Sequence, residues 1–108
     1  MSDLTIRVSQ MEGRVPVTVI HVSGDIDANT HHELDAKASE LLEGGASHIL
    51  LDMSEVSYMS SAGFRSMHKM HTALNGRSDK SSCLKLFKPS EEAKRLMKAM
   101  GFDVHIRS

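Results

Sequence analysis

A single cysteine, Cys83, rules out an internal disulfide and fits a reducing compartment. No apolar run approaches the roughly 20 residues that span a bilayer. The opening Met-Ser-Asp-Leu-Thr also lacks the basic and long apolar segments of a secretory signal. A cytoplasmic, soluble protein without membrane insertion is therefore expected. Neither sign of charge dominates: 13 Lys and Arg stand against 14 Asp and Glu, for a net charge of -1. That balance gives no electrostatic reason to expect direct nucleic-acid binding. Tryptophan is missing and aromatics make up 4% of the chain, so packing must rest on aliphatic residues and on eight methionines. Methionine fills irregular core gaps and also suits adaptable surfaces. No Walker-type glycine loop is present. The serine elbow G-x-S-x-G is missing as well, because Met59 stands where its first glycine would precede Ser61.

What is present suits one domain over residues 1–108. Leu4, Ile6 and Val8 alternate with polar neighbours, the period of a half-buried strand. Met11 to Arg14 reads as a turn into a second strand through Val15, Val17, Val19, Ile20 and Val22, with Pro16 near its start at a sheet edge. Gly24 to Thr30 is turn-rich. Asn29 or Thr30 can cap a helix there, and Glu33 lies three residues past Thr30, as in a capping box. Leu34, Ala38, Leu41 and Leu42 give that helix its apolar stripe, and Gly44-Gly45 ends it. Ile49 to Leu51 reads as a central strand buried on both faces, and residues 53–60 as a polar loop. A second helix starts at Ser60 or Ser61, faces inward through Phe64, Met67, Met70, His71 and Leu74, and stops at Asn75-Gly76. After a polar stretch to Ser82, Cys83 to Phe87 forms a strand. Ser90 then caps a helix with Ala93, Leu96, Met97 and Met100 inside, which Gly101 terminates before a last strand with Phe102, Val104 and Ile106. The order β-β-α-β-α-β-α-β implies an α/β fold. Its mixed sheet of four to five strands is mostly parallel, with interleaved helices and an antiparallel opening hairpin.

Loops at strand ends and helix N-termini are where open α/β sheets meet ligands and partners, which draws attention to Leu51–Arg65. Ser61 sits where unpaired N–H groups and the positive end of the helix dipole favour an anion. A phosphate there would add about -1.5 to -2 charges. Small Ala62 and Gly63 would leave the hydroxyl accessible. A serine before a helix is also an ordinary cap, worth about 0.5–2 kcal/mol, and the residues alone leave both roles open.

Two blocks carry a resemblance. Ser-Gly-Asp-Ile-Asp-Ala-Asn-Thr (Ser23 to Thr30) resembles the Gly-acidic-apolar-Asp loop of the STAS family, the fold of bacterial anti-sigma factor antagonists. Leu-Asp-Met-Ser-Glu-Val-Ser-Tyr-Met-Ser-Ser-Ala-Gly-Phe-Arg (Leu51 to Arg65) resembles that family's signature loop into the next helix. The resemblance implies a regulator that binds and does not catalyse. Ser61, with Ser60 as the competing site, would be phosphorylated by an anti-sigma factor that is also a serine kinase. The unmodified form would hold that partner and free the sigma factor, the phosphorylated form would release it, and a protein phosphatase would reset the cycle. Asp25, Asp27, Asn29, Thr30, Ser60, Ser61, Gly63 and Phe64 would surround the contact surface. The chain departs from many phosphorylated members at three places: Ser60 where Asp is common, Ala62 where Ser or Thr is common, and Phe64 where Leu is common. The alternative is a constitutive STAS subunit of a sensory or transport complex, in which Ser61 is only a cap.

Other residues point to chemistry less directly. His68 and His71 share a helix face, yet no cysteine or acid at ligand spacing accompanies them, so no metal or other cofactor is expected. His31 and His32 are adjacent and should diverge. Asp25 and Asp27 read as turn-formers before acid–base carboxylates. Lys80, Lys85, Lys88, Lys94, Arg95 and Lys98 are spread over three elements and read as a solvated face.

Overall fold

A computed structural model of the chain describes residues 4–14, 16–76, 83–99 and 105–107. The expected element order is observed: β1 (Thr5–Met11), β2 (Val17–Ile26), α1 (His31–Glu43), β3 (His48–Met59), α2 (Ser61–Asn75), β4 (Cys83–Phe87), α3 (Glu91–Ala99) and β5 (His105–Arg107). The strands form one sheet in the order β1-β2-β3-β4-β5. Only β1 runs antiparallel, pairing Met11 with Val17 at the hairpin end; β2 to β5 are mutually parallel. Expectations for Val15, for residues 77–82, and for Met100, Gly101, Phe102 and Val104 fall outside the described residues. So do the side chains of Cys83 and Leu96.

Period-two alternation assigns the faces of the sheet. Ile20, Val22 and Ile26 on β2, Ile49, Leu51 and Met53 on β3, and Leu84 and Leu86 on β4 point into one core cluster. Leu34 and Ala38 of α1, Phe64, Met67, Met70 and Leu74 of α2, and Ala93 and Met97 of α3 complete it. Burying side chains of this size contributes about 1.5–3 kcal/mol each. Leu50 is only half-buried and points to the second face of the sheet, so β3 is not enclosed on both faces as expected. Pro16 lies one residue before β2, and β2 is an interior strand; the missing N–H is harmless there because the ladder has not begun.

Three local expectations are corrected. Residues 53–59 belong to β3 and pair with Ser23–Ile26. Two register shifts, between His21 and Ser23 and between Gly24 and Asp25 on β2, leave extra residues on β3. Such bulges break the apolar alternation that marks a strand in the sequence. Gly24, at φ 111, takes the left-handed conformation at the second shift. The capping box at α1 does not form: Thr30 is the N-cap residue, but its hydroxyl makes no capping bond to the helix. The α1 end follows the sequence closely. The Ala46 N–H reaches the Leu41 carbonyl at 3.0 Å and the Gly45 N–H the Leu42 carbonyl at 3.1 Å. With Gly45 at φ 99, this is a Schellman ending. Ser90 caps α3 as expected, its Oγ accepting the Ala93 N–H at 3.1 Å.

The helix that carries Ser61 is seated by a glycine. A Cβ on Gly63 would lie 2.8 Å from both Ile26 Cγ2 and Met59 Cγ. Gly63→Ala should therefore destabilise the fold: overpacking costs about 1–3 kcal/mol, against about 1 kcal/mol gained in helix propensity. Gly76→Ala, whose Cβ would meet nothing closer than 3.5 Å at ordinary φ, should be neutral or slightly stabilising. Urea unfolding of the two variants checks this contrast; equal midpoints would show that Gly63 does not set the seat.

Candidate functional site

The ends of β2 and β3, the turn after β2 and the start of α2 converge. The Ser60 N–H donates to the Ile26 carbonyl at 2.8 Å, and the Ser60 carbonyl accepts the Phe64 N–H at 3.1 Å, opening α2. Ser60 is the N-cap in extended conformation, with no capping bond from its side chain. Its Oγ is buried and has no hydrogen-bond partner among the described residues. Ser61, the first helical residue, is exposed. Of the two adjacent hydroxyls, one is enclosed and one is open to a partner. Arg65, one turn further along α2, is exposed on the same side.

The neighbouring turn is held by Asp27. Its Oδ1 accepts the Asn29 N–H at 2.9 Å and the Thr30 N–H at 3.1 Å, and its backbone carbonyl accepts the His31 N–H at 2.9 Å. The Thr30 hydroxyl accepts the Asp27 N–H at 2.9 Å and donates to the Asp25 carbonyl at 2.7 Å. Thr30 thus ties the turn together from inside, which explains why it does not cap α1. The Asn29 N–H, with smaller help from Thr30 and His31, holds the Asp27 carboxyl below the ordinary carboxylate range despite some opposing desolvation.

Eight residues were expected around the contact surface. Asn29 and Ser61 are exposed, and Asp25, Asp27 and Ser60 are half-buried. The other three are corrected. Gly63 and Thr30 are buried and Phe64 has 0% exposure, because the helical phase that turns Ser61 outward turns residues 63 and 64 into the core. None of the three is exposed. Tyr58, expected in a loop, lies on β3 paired with Asp25 and is 50% exposed. An exposed tyrosine offers a large amphipathic contact. The signal for it was available in the sequence, since Tyr58 is the only tyrosine in the chain.

A second cluster lies one turn down, between α1 and α2. His31 and His32, expected to diverge, have ring centroids 4.0 Å apart. With Asp35 they bring one potential ligand atom each within 4.8 Å of one another. His31 Nδ1 already bonds Asp35 Oδ2 at 3.2 Å, and the Lys69 ammonium lies 3.8 Å from the same oxygen. That cation and the positive end of α1 both oppose a metal ion.

The STAS domain family model matches residues 9–108. The chain belongs to the STAS domain family. Among solved structures, an anti-sigma factor antagonist from Mycobacterium paratuberculosis superposes on this STAS domain with a TM-score of 0.82. The two are 21% identical, and the match covers 96% of this chain and 85% of that chain. SpoIIAA, an anti-sigma factor antagonist in its unphosphorylated form, gives 0.74 at 18% identity, covering 96% and 88%. The Bacillus cell fate determinant SpoIIAA in its phosphorylated form gives 0.72 at 19%, covering 96% and 92%. At these identities the likeness establishes the fold. No curated protein matches the sequence. Among the described residues no helix is long and apolar enough to cross a membrane.

The lowered carboxyl of Asp27 yields a pH prediction. A depressed folded pKa contributes stability that is fully present above the ordinary value of 3.8 and is lost as pH falls through the folded value. Asp27→Ala should therefore melt below the parent protein at pH 7. The gap should persist down to about pH 4 and narrow at lower pH. Thermal melts of both proteins across that range provide the check. A gap that stays constant into strong acid would mean the charged carboxylate is not what holds the turn.

Proposed function

We propose that this STAS domain is an anti-sigma factor antagonist working in the cytoplasm, switched by phosphorylation of Ser61. The observation that carries the reading is the exposed Ser61 hydroxyl at the first position of α2, beside the Asp25–Thr30 turn and next to an enclosed Ser60. No acidic residue occupies the first turn of α2 and no side chain caps it. A phosphate on Ser61 would therefore find its own helix receptive. Toward a partner the effect is opposite. A dianion set beside Asp25 and Asp27 repels an electronegative patch and must be desolvated to be buried. One modification thus leaves the domain folded and expels what is bound to it. SpoIIAA, whose fold this chain shares, has been solved in unphosphorylated and phosphorylated forms, which supports the compatibility of fold and phosphate.

The proposed partners are an anti-sigma factor with serine kinase activity, which reads Ser61, Asn29 and Tyr58, and a protein phosphatase that restores the hydroxyl. The switch surface acts by binding, without turnover, and controls transcription indirectly through the sigma factor.

Tagged parent protein, Ser61→Ala and Ser61→Asp, each recovered from its own cells, should separate cleanly. The first two should retain a kinase-type anti-sigma factor, and Ser61→Asp should recover at least about tenfold less, equivalent to about 1.4 kcal/mol. Equal recovery on all three, with sensory or transport components bound instead, would identify a constitutive STAS subunit and reduce Ser61 to a structural residue.

A further inference from the structure

The second face of the sheet holds an ordered Ser-His-Asp relay. Residues Ser9 and Met11 of β1, Val19 and His21 of β2, Leu50 and Asp52 of β3, and Phe87 of β4 alternate with the core-facing positions of their strands, and so stand on this face. Ser9 Oγ lies 2.9 Å from His21 Nε2, and His21 Nδ1 lies 3.0 Å from Asp52 Oδ2. The other carboxylate oxygen, Asp52 Oδ1, accepts the Ser54 N–H at 3.0 Å and the Ser54 hydroxyl at 2.7 Å. Desolvation pushes the Asp52 carboxyl up, but the Ser54 bonds and His21 outweigh it and hold it below the ordinary range.

The polarity of the relay follows from these bonds. An ionised carboxylate only accepts, so the neutral His21 ring carries its proton on Nδ1. Nε2 is then a bare acceptor, and the Ser9 hydroxyl must donate to it. That is the orientation a base needs to take a proton from a nucleophile. Beside it runs a groove of about 450 Å³, lined by Met11, Val19, Leu50 and Phe87 as well as the three relay residues. Val19 is 4% exposed there yet lies outside the core cluster. An apolar groove next to a few convergent polar groups is the usual form of a small-molecule site.

We propose that Ser9 is a nucleophile toward esters with an apolar acyl group, with His21 as its general base and Asp52 as the residue that positions His21. The acyl chain lies in the groove. Ser9 Oγ forms a bond to the acyl carbon while its proton passes to His21 Nε2. The bond to the leaving alcohol breaks, and the alcohol departs with that proton. Water then gives a proton to the same nitrogen and attacks the acyl carbon; the bond from Ser9 Oγ to that carbon breaks, Oγ takes the proton back from Nε2, and a carboxylic acid leaves. Water is the sole co-reactant. The relay lies on the face opposite the helices and does not depend on the switch at Ser61.

The test uses an alkyl fluorophosphonate, in which a serine displaces fluoride, followed by peptide mass spectrometry on the intact, folded chain. The expected result is one adduct, on Ser9, formed at least about tenfold more slowly in His21→Gln, within the range general bases supply. Ser9→Ala, an exposed edge position, should fold and take up no label. The imidazole ¹⁵N spectrum should show His21 protonated on Nδ1, a state lost in Asp52→Asn; a merely structural aspartate would not move that signature. Absence of an adduct, an adduct on another serine, or a rate indifferent to His21→Gln would each overturn the proposal. Should His21→Gln fail to fold, the site of the adduct and the His21 tautomer in the parent protein still decide it.

Discussion

The site depends on one close approach. The first turn of α2 lies so near the ends of β2 and β3 that no side chain fits at residue 63, where Ile26 and Met59 occupy the space. A single hydrogen bond, from the Ser60 N–H to the Ile26 carbonyl, fixes where that turn begins. With Gly63 and Phe64 seated in the core, Ser61 and Arg65, one turn apart, are left exposed. The accessibility of Ser61 is thus a consequence of core packing.

Charge at the same place is organised by the turn from Asp25 to Thr30. Asp27 commits Oδ1 to backbone N–H groups, and Thr30 bridges Asp27 and Asp25 from a position only 2% exposed. These bonds make the turn a fixed negative feature beside the opening of α2. A phosphate on Ser61 would then add charge beside a turn already tied by its own hydrogen bonds. The proposed switch at Ser61 would be electrostatic in origin, and the turn beside it is held by ordinary hydrogen bonds.

Much of this was legible in the sequence because it is local. Alternation in β2, the Gly44-Gly45 ending, the Ser90 cap and the buried Phe64, Met67, Met70 and Leu74 of α2 each depend on neighbours within a few residues and are present; in β1 Leu4 and Ile6 are half-buried but Val8 is exposed. What escaped depends on register. The two bulges in β3 scramble the alternation from Met53 to Met59, so a strand looked like a loop, and the exposed place of Tyr58 on that strand was hidden. Gly63 and Phe64 lay inside a recognisable motif, but a motif does not state helical phase, and the phase puts them in the core. The Ser9-His21-Asp52 relay could not be seen at all: its members are separated by 12 and 31 residues and meet only through strand pairing.

The proposed partner surface at the ends of β2 and β3 and the Ser9-His21-Asp52 cluster on the face away from the helices thus lie on separate parts of the sheet. Phosphate mapping on protein isolated from its native cells, in growth and under stress, tests the proposed switch at Ser61. Ser61 should carry phosphate at an occupancy that changes between conditions, and the enclosed Ser60 should carry none. An unmodified Ser61 in every condition, or phosphate confined to Ser60, would contradict it.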